Sequence, residues 1–175
     1  MSHIHTAPGQ HDATVSAFII RIDTEPLVLL HKHKKLGILG QIGGHVELHE
    51  NPWQAMQHEI KEESGYDITD LMILQPKPII HDLRGGRLHP YPLVHNTHNF
   101  SKEHFHSDIS YAFVTDVLPQ SSIAEGESDS LTWLNRNDLL KIDDQLIFPD
   151  IKDIYCFMLD ECLDKWHRVS SDSYS

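Results

Sequence analysis

The chain has few cysteines, and this shortage argues against a disulfide-stabilised secreted domain. Only two of its 175 residues are cysteine, Cys156 and Cys162. They stand six positions apart in one predicted helix and face different sides of it, so we expect no disulfide between them. The sequence therefore predicts an intracellular, reduced and cytoplasmic protein.

Basic residues are also scarce, with 14 lysines and arginines against 26 acidic residues and a net charge of −12. This charge argues against a nucleic acid as the main partner, because affinity for nucleic acids comes mostly from Lys and Arg on phosphates. A small phosphorylated ligand stays compatible if a metal ion offsets its charge locally. The sequence leaves a homodimer open.

Long apolar runs are missing as well, since no stretch of 18 apolar residues occurs and no membrane span is expected. The first residues have neither the cationic start nor the apolar stretch of a secretory signal. The length of 175 residues is that of one domain with a sizeable core. We expect a single domain over 1–175 with flexible ends at 1–11 and 170–175.

The hydrophobic pattern alternates between strands and helices. Strands are predicted at 13–23, 27–31, 36–42, 70–82, 109–117 and 131–134, the first two as a hairpin. Helices are predicted at 52–64, briefly after Asn135, and at 149–169. The segment 88–106 has no period and is predicted to be a long loop. This order favours an α/β class with one mixed sheet covered on both faces.

The predicted helix at 52–64 carries three glutamates on one face, Glu59, Glu62 and Glu63. Their i, i+3, i+4 spacing stacks them along a single turn, where like charges repel one another. Such a cluster either stays in solvent or is neutralised by a cation. Mg²⁺ and Mn²⁺ prefer oxygen ligands, so the cluster indicates a divalent-metal site.

Two features stand before this helix. Gly43 and Gly44 allow positive φ angles and a close approach of the backbone to a ligand. The segment 31–35 is the only dense basic run of the chain. It is either a solvated strand end or a phosphate-facing patch beside the glycines, and in the second case Lys34 and Lys35 bind substrate.

Together these residues have the spacing of a known motif. The matching positions are Gly44, Glu50, Glu59, Ile60, Glu62, Glu63, Gly65 and Tyr66. This stretch resembles the signature box of the Nudix hydrolase family, and only its arginine position departs, being His58. An arginine there usually holds a glutamate of the box in a bidentate pair that histidine cannot reproduce. The exchange leaves two outcomes open, a working enzyme with an altered pH response or a weakened one.

The resemblance implies a fold and a reaction. The fold is an α/β/α sandwich with a mixed β-sheet. The reaction is that of a Nudix-type pyrophosphohydrolase, which uses Mg²⁺ or Mn²⁺ to cleave the pyrophosphate of a nucleoside diphosphate linked to another moiety. Carried over position by position, Glu59, Glu62 and Glu63 are metal ligands together with the Gly44 carbonyl. Gly43 and Gly44 also line the substrate site.

The resemblance leaves the residue that activates water open. Glu62 and Glu63 are the catalytic candidates within the box. In many relatives a glutamate of a later loop has this task, and here Glu103, Glu125 and Glu127 are available.

A second cluster consists of His95, His98, His104 and His106, followed by Asp108. Histidines two apart on a strand point the same way. They meet either a metal or the substrate phosphates, or they belong to a His-rich solvent loop. His106 is the substrate-binding candidate of this cluster. No C-x-x-C or H-E-x-x-H spacing indicates a structural zinc site.

Two other functions are compatible with the same scaffold. One is a non-catalytic Nudix-like domain that binds or senses a nucleotide, which His58 would allow. The other is an isomerase of prenyl diphosphates, which would need a catalytic cysteine near the site. Both cysteines lie in the predicted C-terminal helix, so the isomerase is disfavoured.

Overall fold

The described residues form one mixed sheet with helices on both faces, which is the predicted α/β/α sandwich. The computed structural model describes residues 7, 9–22, 24–34, 36–77, 84–101, 104–127 and 130–174. The strands are β1 (His11–Ile22), β2 (Pro26–Lys32), β3 (Leu39–Gly40), β4 (Ile42–His45), β5 (Met72–Gln75), β6 (Val94–Ser101), β7 (His104–Thr115), β8 (Leu131–Leu134) and β9 (His167–Ser170). The helices are α1 (Pro52–Ser64), α2 (Arg136–Lys141) and α3 (Ile151–Phe157).

Strand β1 lies at the centre of this sheet. It pairs in parallel with β7 and antiparallel with β2 and β4. The main path runs β3-β2-β1-β7-β5-β9, while β4 joins β1, β6 joins β7 and β8 joins β2. In these ladders His45 is the partner of Thr14, and His106 is the partner of Asp12. The glycines of β4 and the first residues of β7 therefore flank the beginning of β1 on its two sides.

Both faces of the sheet are covered because β1 is apolar on both sides. Its odd-numbered residues Val15, Ala17 and Ile19 share one core with the apolar residues of α1. Its even-numbered residues Phe18 and Ile20 share a second core with α3 and the helical turn after it. Alternate side chains of a strand point to opposite faces, so one strand serves both layers.

Helix α1 has the boundaries that the sequence predicts. The Asn51 side chain accepts hydrogen bonds from the backbone N–H groups of Trp53 and Gln54, both at 3.0 Å. Gly65 ends the helix with a φ of 73°. A Cβ at Gly65 would lie 2.2 Å from the Ser121 carbonyl oxygen, so both conformation and space require glycine there.

Several other predicted elements are confirmed, some of them shortened. The first hairpin, the strands at 109–117 and 131–134 and the short helix capped by Asn135 are all present. The segment 36–42 lies across two strands, β3 and β4. Of the described part of the predicted strand at 70–82, Met72–Gln75 is a strand and Pro76 follows it. Residues 78–83 lie outside the described residues.

The predicted loop at 88–106 is wrong, because Val94–Ser101 forms β6 and pairs antiparallel with β7. Most of its side chains are exposed. An exposed strand needs no apolar alternation and is held by backbone hydrogen bonds, which explains why its sequence shows no period.

The predicted helix at 149–169 is also wrong in its second half. Helix α3 ends at Phe157, a π-helical turn covers Met158–Cys162, and the chain then enters β9, which pairs with β5. The helical spacing of buried residues continues through the turn to Cys162, so periodicity alone did not mark the end. Cys156 and Cys162 are free, as predicted.

The described residues near the two predicted flexible ends, 1–11 and 170–175, belong to elements of the fold. His11 begins β1, and Ser171 and Tyr174 are buried. The Ser171 hydroxyl donates to the Leu71 carbonyl at 2.8 Å, and the Tyr174 ring lies 5.8 Å from the ring of Trp53. None of the described helices is long and apolar enough to cross a membrane.

Candidate active site

Helix α1 directs two of its glutamates back onto the glycines of β4. Glu63 Oε2 accepts a hydrogen bond from the Gly43 N–H at 2.9 Å. A Cβ built on Gly44 would lie 2.1 Å from Glu59 Oε1. Any side chain at position 44 would therefore compete with the Glu59 carboxylate for the same space. Glu62 has a side chain that is 46% exposed and is the solvent-facing member of the three.

Gly43 is required by its own geometry. Its φ is 151°, and a Cβ there would lie 2.1 Å from the Val15 carbonyl oxygen. The close pairing of β4 with β1 thus needs glycine at this position. The same pairing directs the Gly43 N–H toward Glu63, so a hydrogen bond joins the glycine pair of β4 to helix α1.

Burial raises the pKa values of the two enclosed carboxyls. The pKa of Glu59 rises to about 7 and that of Glu63 to about 8, with burial as the largest cause in both. The charges of neighbouring glutamates add to both shifts. The Gly43 hydrogen bond opposes the shift at Glu63, and His58 opposes it at Glu59. Carboxyls held in this way exchange their protons readily for a cation.

The segment after β7 is attached to the C-terminal end of α1. The Ser121 N–H donates to the Gly65 carbonyl at 3.1 Å. The Ala124 N–H donates to the Glu62 carbonyl at 2.9 Å. These two bonds hold the segment alongside the glutamate cluster.

This attachment brings a fourth carboxylate, Glu127, to the cluster. Its charge contributes to the raised pKa values of both Glu59 and Glu63. Of the three later-loop candidates, the structure places Glu127 beside the box. Glu125 is an exposed residue of the same segment, and Glu103 lies outside the described residues.

His58 contacts two glutamates of the box with its two ring nitrogens. Nδ1 lies 3.3 Å from Glu50 Oε1, and Nε2 lies 3.0 Å from Glu62 Oε1. Burial lowers the pKa of His58, but the hydrogen bond to Glu62 and the surrounding glutamate charges outweigh it, so the pKa is raised. Although histidine stands at the arginine position, His58 still joins these two carboxylates and is positively charged when protonated.

The basic run contributes one residue that sequence reasoning did not single out. His31 is buried at the end of β2, and its Nε2 lies 3.9 Å from Glu63 Oε2. Burial lowers the pKa of His31 to about 4, and the charge of His33 adds to this. Its position two residues after the apolar Leu29, on the same face of β2, could have suggested that His31 points inward.

The two predicted substrate-binding lysines have different outcomes. Lys34 donates a hydrogen bond to the carbonyl of Gly126, the residue before Glu127. The side chain of Lys34 is therefore tied to the segment that borders the glutamate cluster. Lys35 lies outside the described residues.

His106, the remaining substrate-binding candidate, lies in a separate cluster. One ring nitrogen from each of His45, His104 and His106 lies within 4.8 Å of one ring nitrogen from each of the other two. Burial lowers the pKa of His106 to about 4, with the neighbouring histidines adding to the shift and Asp12 opposing it. The sequence did not point to His45, because β-sheet pairing alone brings it to the others.

The other residues of the predicted histidine cluster are placed differently. The His98 ring lies 5.2 Å from the His106 ring, on the exposed side of β6. His95 is exposed on the same strand. Asp108 is buried and accepts hydrogen bonds from three hydroxyls at 2.8 to 2.9 Å, those of Thr14, Ser16 and Ser110. Asp108 thus links β1 and β7.

Comparison with known proteins identifies the family. The model of the NUDIX domain family matches residues 10–153. The chain belongs to the Nudix family. Its enzyme class is that of the Nudix pyrophosphohydrolases, and the resemblance of the signature box is confirmed. None of the curated proteins compared with the chain matches it in sequence.

Several solved structures share the fold of this chain. A NUDIX family hydrolase from Clostridium perfringens has 32% identity and a TM-score of 0.71, covering 86% of this chain and 97% of its own. The C. elegans Ap4A hydrolase has 18% identity and a TM-score of 0.59, with coverages of 84% and 95%. The NUDIX domain of Shewanella oneidensis NrtR, complexed with ADP ribose, has 16% identity and a TM-score of 0.55, with coverages of 86% and 89%.

Nudix hydrolases generally use divalent metal ions, and the residues of this Nudix protein fit one. Glu59, Glu62 and Glu63 supply carboxylate oxygens, the ligand type that Mg²⁺ and Mn²⁺ prefer. The missing side chain at Gly44 leaves its backbone open to the Glu59 carboxylate. The donor set is therefore that of a hard divalent cation.

We expect the metal-free protein to lose stability as the pH rises from about 6.5 to about 8.5. In the folded protein the pKa values of Glu59 and Glu63 are about 7 and about 8, against an ordinary value of 4.5. Their contribution to the free energy of unfolding is therefore fully present below pH 4.5 and is lost as the pH rises through about 7 and about 8. The raised pKa of His58 acts in the same direction. The lowered pKa values of His31 and His106 act oppositely, but only below pH 6.5.

Thermal unfolding across this pH range measures the effect. Added Mg²⁺ should flatten the dependence, because it binds the deprotonated carboxylates. The Glu63→Gln variant should show a smaller loss than the wild type without metal. A midpoint that rises with pH in metal-free protein would contradict the raised pKa values.

Proposed function

We propose that this Nudix protein is a Mg²⁺- or Mn²⁺-dependent hydrolase that cleaves the pyrophosphate of a nucleoside diphosphate linked to another moiety. One observation carries the proposal. The Glu59 and Glu63 carboxyls are enclosed against Gly44 and Gly43, and burial raises their pKa values to about 7 and about 8. An acidic pocket closed by glycine backbone suits a cation that a pyrophosphate completes.

The proposed metal ligands are Glu59, Glu62 and Glu63, together with the Gly44 carbonyl. A divalent ion bound there would neutralise charge on the phosphates and lower the pKa of a bound water. The Gly43 N–H fixes the Glu63 carboxylate, and the Gly44 backbone limits the position of Glu59. The ligands are thus held in place before a substrate arrives, which limits the cost of ordering them.

The proposed catalytic residues remove a proton from the attacking water. Glu62 and Glu63 are the candidates within the box, and Glu127 joins them because its segment is attached to α1. The water oxygen forms a bond to one phosphorus, and the bridging oxygen leaves with the other phosphate. Glu62 and Glu127 belong to the exposed side of the cluster, where a water can reach them.

The substrate side of the proposed site consists of backbone and one lysine. Gly43 and Gly44 permit the phosphates to approach the loop closely. Lys34, held beside Glu127 through the Gly126 carbonyl, supplies positive charge in an otherwise acidic surrounding. Together with the bound cation, this would balance the charge of a pyrophosphate.

A substrate panel tests this function. Nucleoside triphosphates, Ap4A, ADP-ribose and sugar nucleotides are incubated with the full chain and Mg²⁺, and the products are separated by chromatography. We expect Mg²⁺-dependent hydrolysis of at least one class, with products cut within the pyrophosphate. Absence of turnover on the whole panel with both Mg²⁺ and Mn²⁺ would contradict the proposal.

A nucleotide sensor is the alternative, and the arginine-to-histidine exchange is what favours it. Binding of ADP-ribose without turnover, unchanged in His58→Arg, would support the sensor. The contacts of His58 with Glu50 and Glu62 favour the hydrolase, because they keep the box connected. A His58→Arg variant with restored or increased turnover would support the hydrolase as well.

A further inference from the structure

We propose a second metal site in this protein, formed by His45, His104 and His106 with the carboxylate of Asp12. It would take Zn²⁺ or another borderline divalent transition metal. The inference is independent of the proposed hydrolysis, because it uses none of the glutamates of the box.

Sheet pairing brings the three histidines together from distant parts of the chain. His45 ends β4, and His104 and His106 begin β7. Both strands pair with β1, which carries Asp12 next to them. One ring nitrogen of each histidine lies within 4.8 Å of one of each of the others. In a tetrahedral zinc site the ligand atoms are about 3.3 Å apart, which small ring rotations would reach.

Asp12 borders the three imidazoles. Its Oδ2 lies 3.1 Å from His104 Nε2 and 3.8 Å from His45 Nε2. The Asp12 side chain is 2% exposed. Three imidazoles and one carboxylate are a donor set that suits zinc and other borderline divalent metals, whereas Mg²⁺ prefers oxygen ligands alone.

Two of the three histidines are buried, and a ring nitrogen of one of them lacks a hydrogen bond within the described part of the chain. His104 and His106 are 7% and 8% exposed. Among the described residues, the buried Nε2 of His106 has no hydrogen-bond partner. A buried polar atom without a partner destabilises the fold, and coordination to a metal would remove this cost.

Neighbouring rings hold the cluster in place. The Phe100 ring stacks on His106 at 4.9 Å between centroids, with 19° between the ring planes. The rings of His45, His98 and His104 pack edge-to-face on His106, at 5.0, 5.2 and 5.2 Å between centroids. Rings packed on several sides present their nitrogens in a defined geometry, as a metal site needs.

This site lies on the other face of the sheet from the glutamates. Gly44 contacts Glu59 on the α1 side, so the next residue, His45, points to the opposite face. His106 likewise lies on the same face of β7 as Ala112, and Ala112 packs in the core that contains the apolar residues of α3. A metal here would tie β4 to β7 across β1 and so fix the strand that leads into the signature box. In the proposed site His106 is a metal ligand and does not bind the substrate phosphates.

Metal binding to the tag-free full chain tests the proposal. After chelator treatment, Zn²⁺ affinity is measured by competition with a chromophoric chelator, and Co²⁺ is used as a spectroscopic probe. We expect one tight equivalent per chain and a Co²⁺ spectrum of nitrogen ligands in a four- or five-coordinate site. Affinity should fall at least about tenfold in His106→Ala and in His45→Ala.

Two controls separate this site from others. His95→Ala removes an exposed histidine of β6 and should leave affinity and spectrum unchanged. The double variant Glu59→Gln/Glu63→Gln should also keep the Zn²⁺ equivalent, whatever happens to hydrolysis. Circular dichroism checks that each variant is folded, and His45→Ala, with its less buried side chain, replaces His106→Ala if that variant unfolds.

Three results would overturn the proposal. The first is equal Zn²⁺ affinity in wild type and in the folded histidine variants. The second is loss of the tight equivalent in the glutamate double variant. The third is a Co²⁺ spectrum like that of the hydrated ion, which would indicate adventitious binding by the many surface histidines.

Discussion

Replacing Glu63 with glutamine is expected to lower turnover by about 10²-fold or more, equivalent to about 2.7 kcal/mol of transition-state stabilisation. Glutamine keeps the size of the side chain and can still accept the hydrogen bond from the Gly43 N–H. It loses the negative charge that the proposed metal requires. The defect should therefore appear in metal affinity and in the rate, with little change in the fold.

The same variant should be at least as stable as the wild type without metal. Burial raises the pKa of Glu63 to about 8, so at pH 8 the wild type keeps a partly charged carboxylate in a buried place. A neutral amide avoids that cost. Loss of activity together with unchanged or higher metal-free stability is the combination that separates a functional role from a structural one.

Steady-state rates with the best substrate of the panel and thermal unfolding without metal measure the two effects. Glu161→Gln is the matched control, because Glu161 is an exposed residue paired with Lys165 in the C-terminal part of the chain. That variant should keep wild-type turnover. A Glu63→Gln variant with more than about a tenth of wild-type turnover would remove Glu63 from the proposed ligands.

Replacing Gly44 with alanine is expected to lower turnover by about 10²-fold, although it adds only a methyl group. The new Cβ would lie 2.1 Å from Glu59 Oε1, so the carboxylate must move. Glu59 is a flexible side chain, and the fold can absorb its displacement. A displacement of about 1 Å in a proposed ligand is enough for a loss of this size.

Gly86→Ala is the matched control, since a Cβ at Gly86 meets no atom of the described residues within 4 Å and the backbone there has no positive φ. It should leave turnover and unfolding unchanged. For Gly44→Ala we expect weaker Mg²⁺ binding with a midpoint of unfolding close to that of the wild type. Full activity in Gly44→Ala would show that the Glu59 carboxylate does not act from the position next to Gly44.

The local parts of the fold follow from local sequence signals. Asn51 and Gly65 mark the ends of α1 because a side-chain cap and a left-handed glycine act within a few residues. Where local signals are weak or continue past an end, the predictions were wrong. The exposed strand β6 has no apolar period, and the helical spacing in the C-terminal part runs on through a π-helical turn.

The proposed metal ligands could be named from the sequence because a single helical turn aligns them. The i, i+3, i+4 spacing of Glu59, Glu62 and Glu63 is a property of the helix, independent of what packs around it. The presence of His58 at the arginine position could be read directly too. Its contacts with Glu50 and Glu62 could not, since they depend on how the loop folds back on the helix.

By itself, the sequence determined the family, the α/β/α class, the extent of the signature helix and the face that carries its glutamates. Only the tertiary structure decided which later glutamate lies beside them, Glu127, and which distant histidine joins His104 and His106, namely His45. Helical spacing and caps are local and are written in neighbouring residues. The meeting of β4, β1 and β7 depends on strand register over long stretches of chain, which no short pattern encodes.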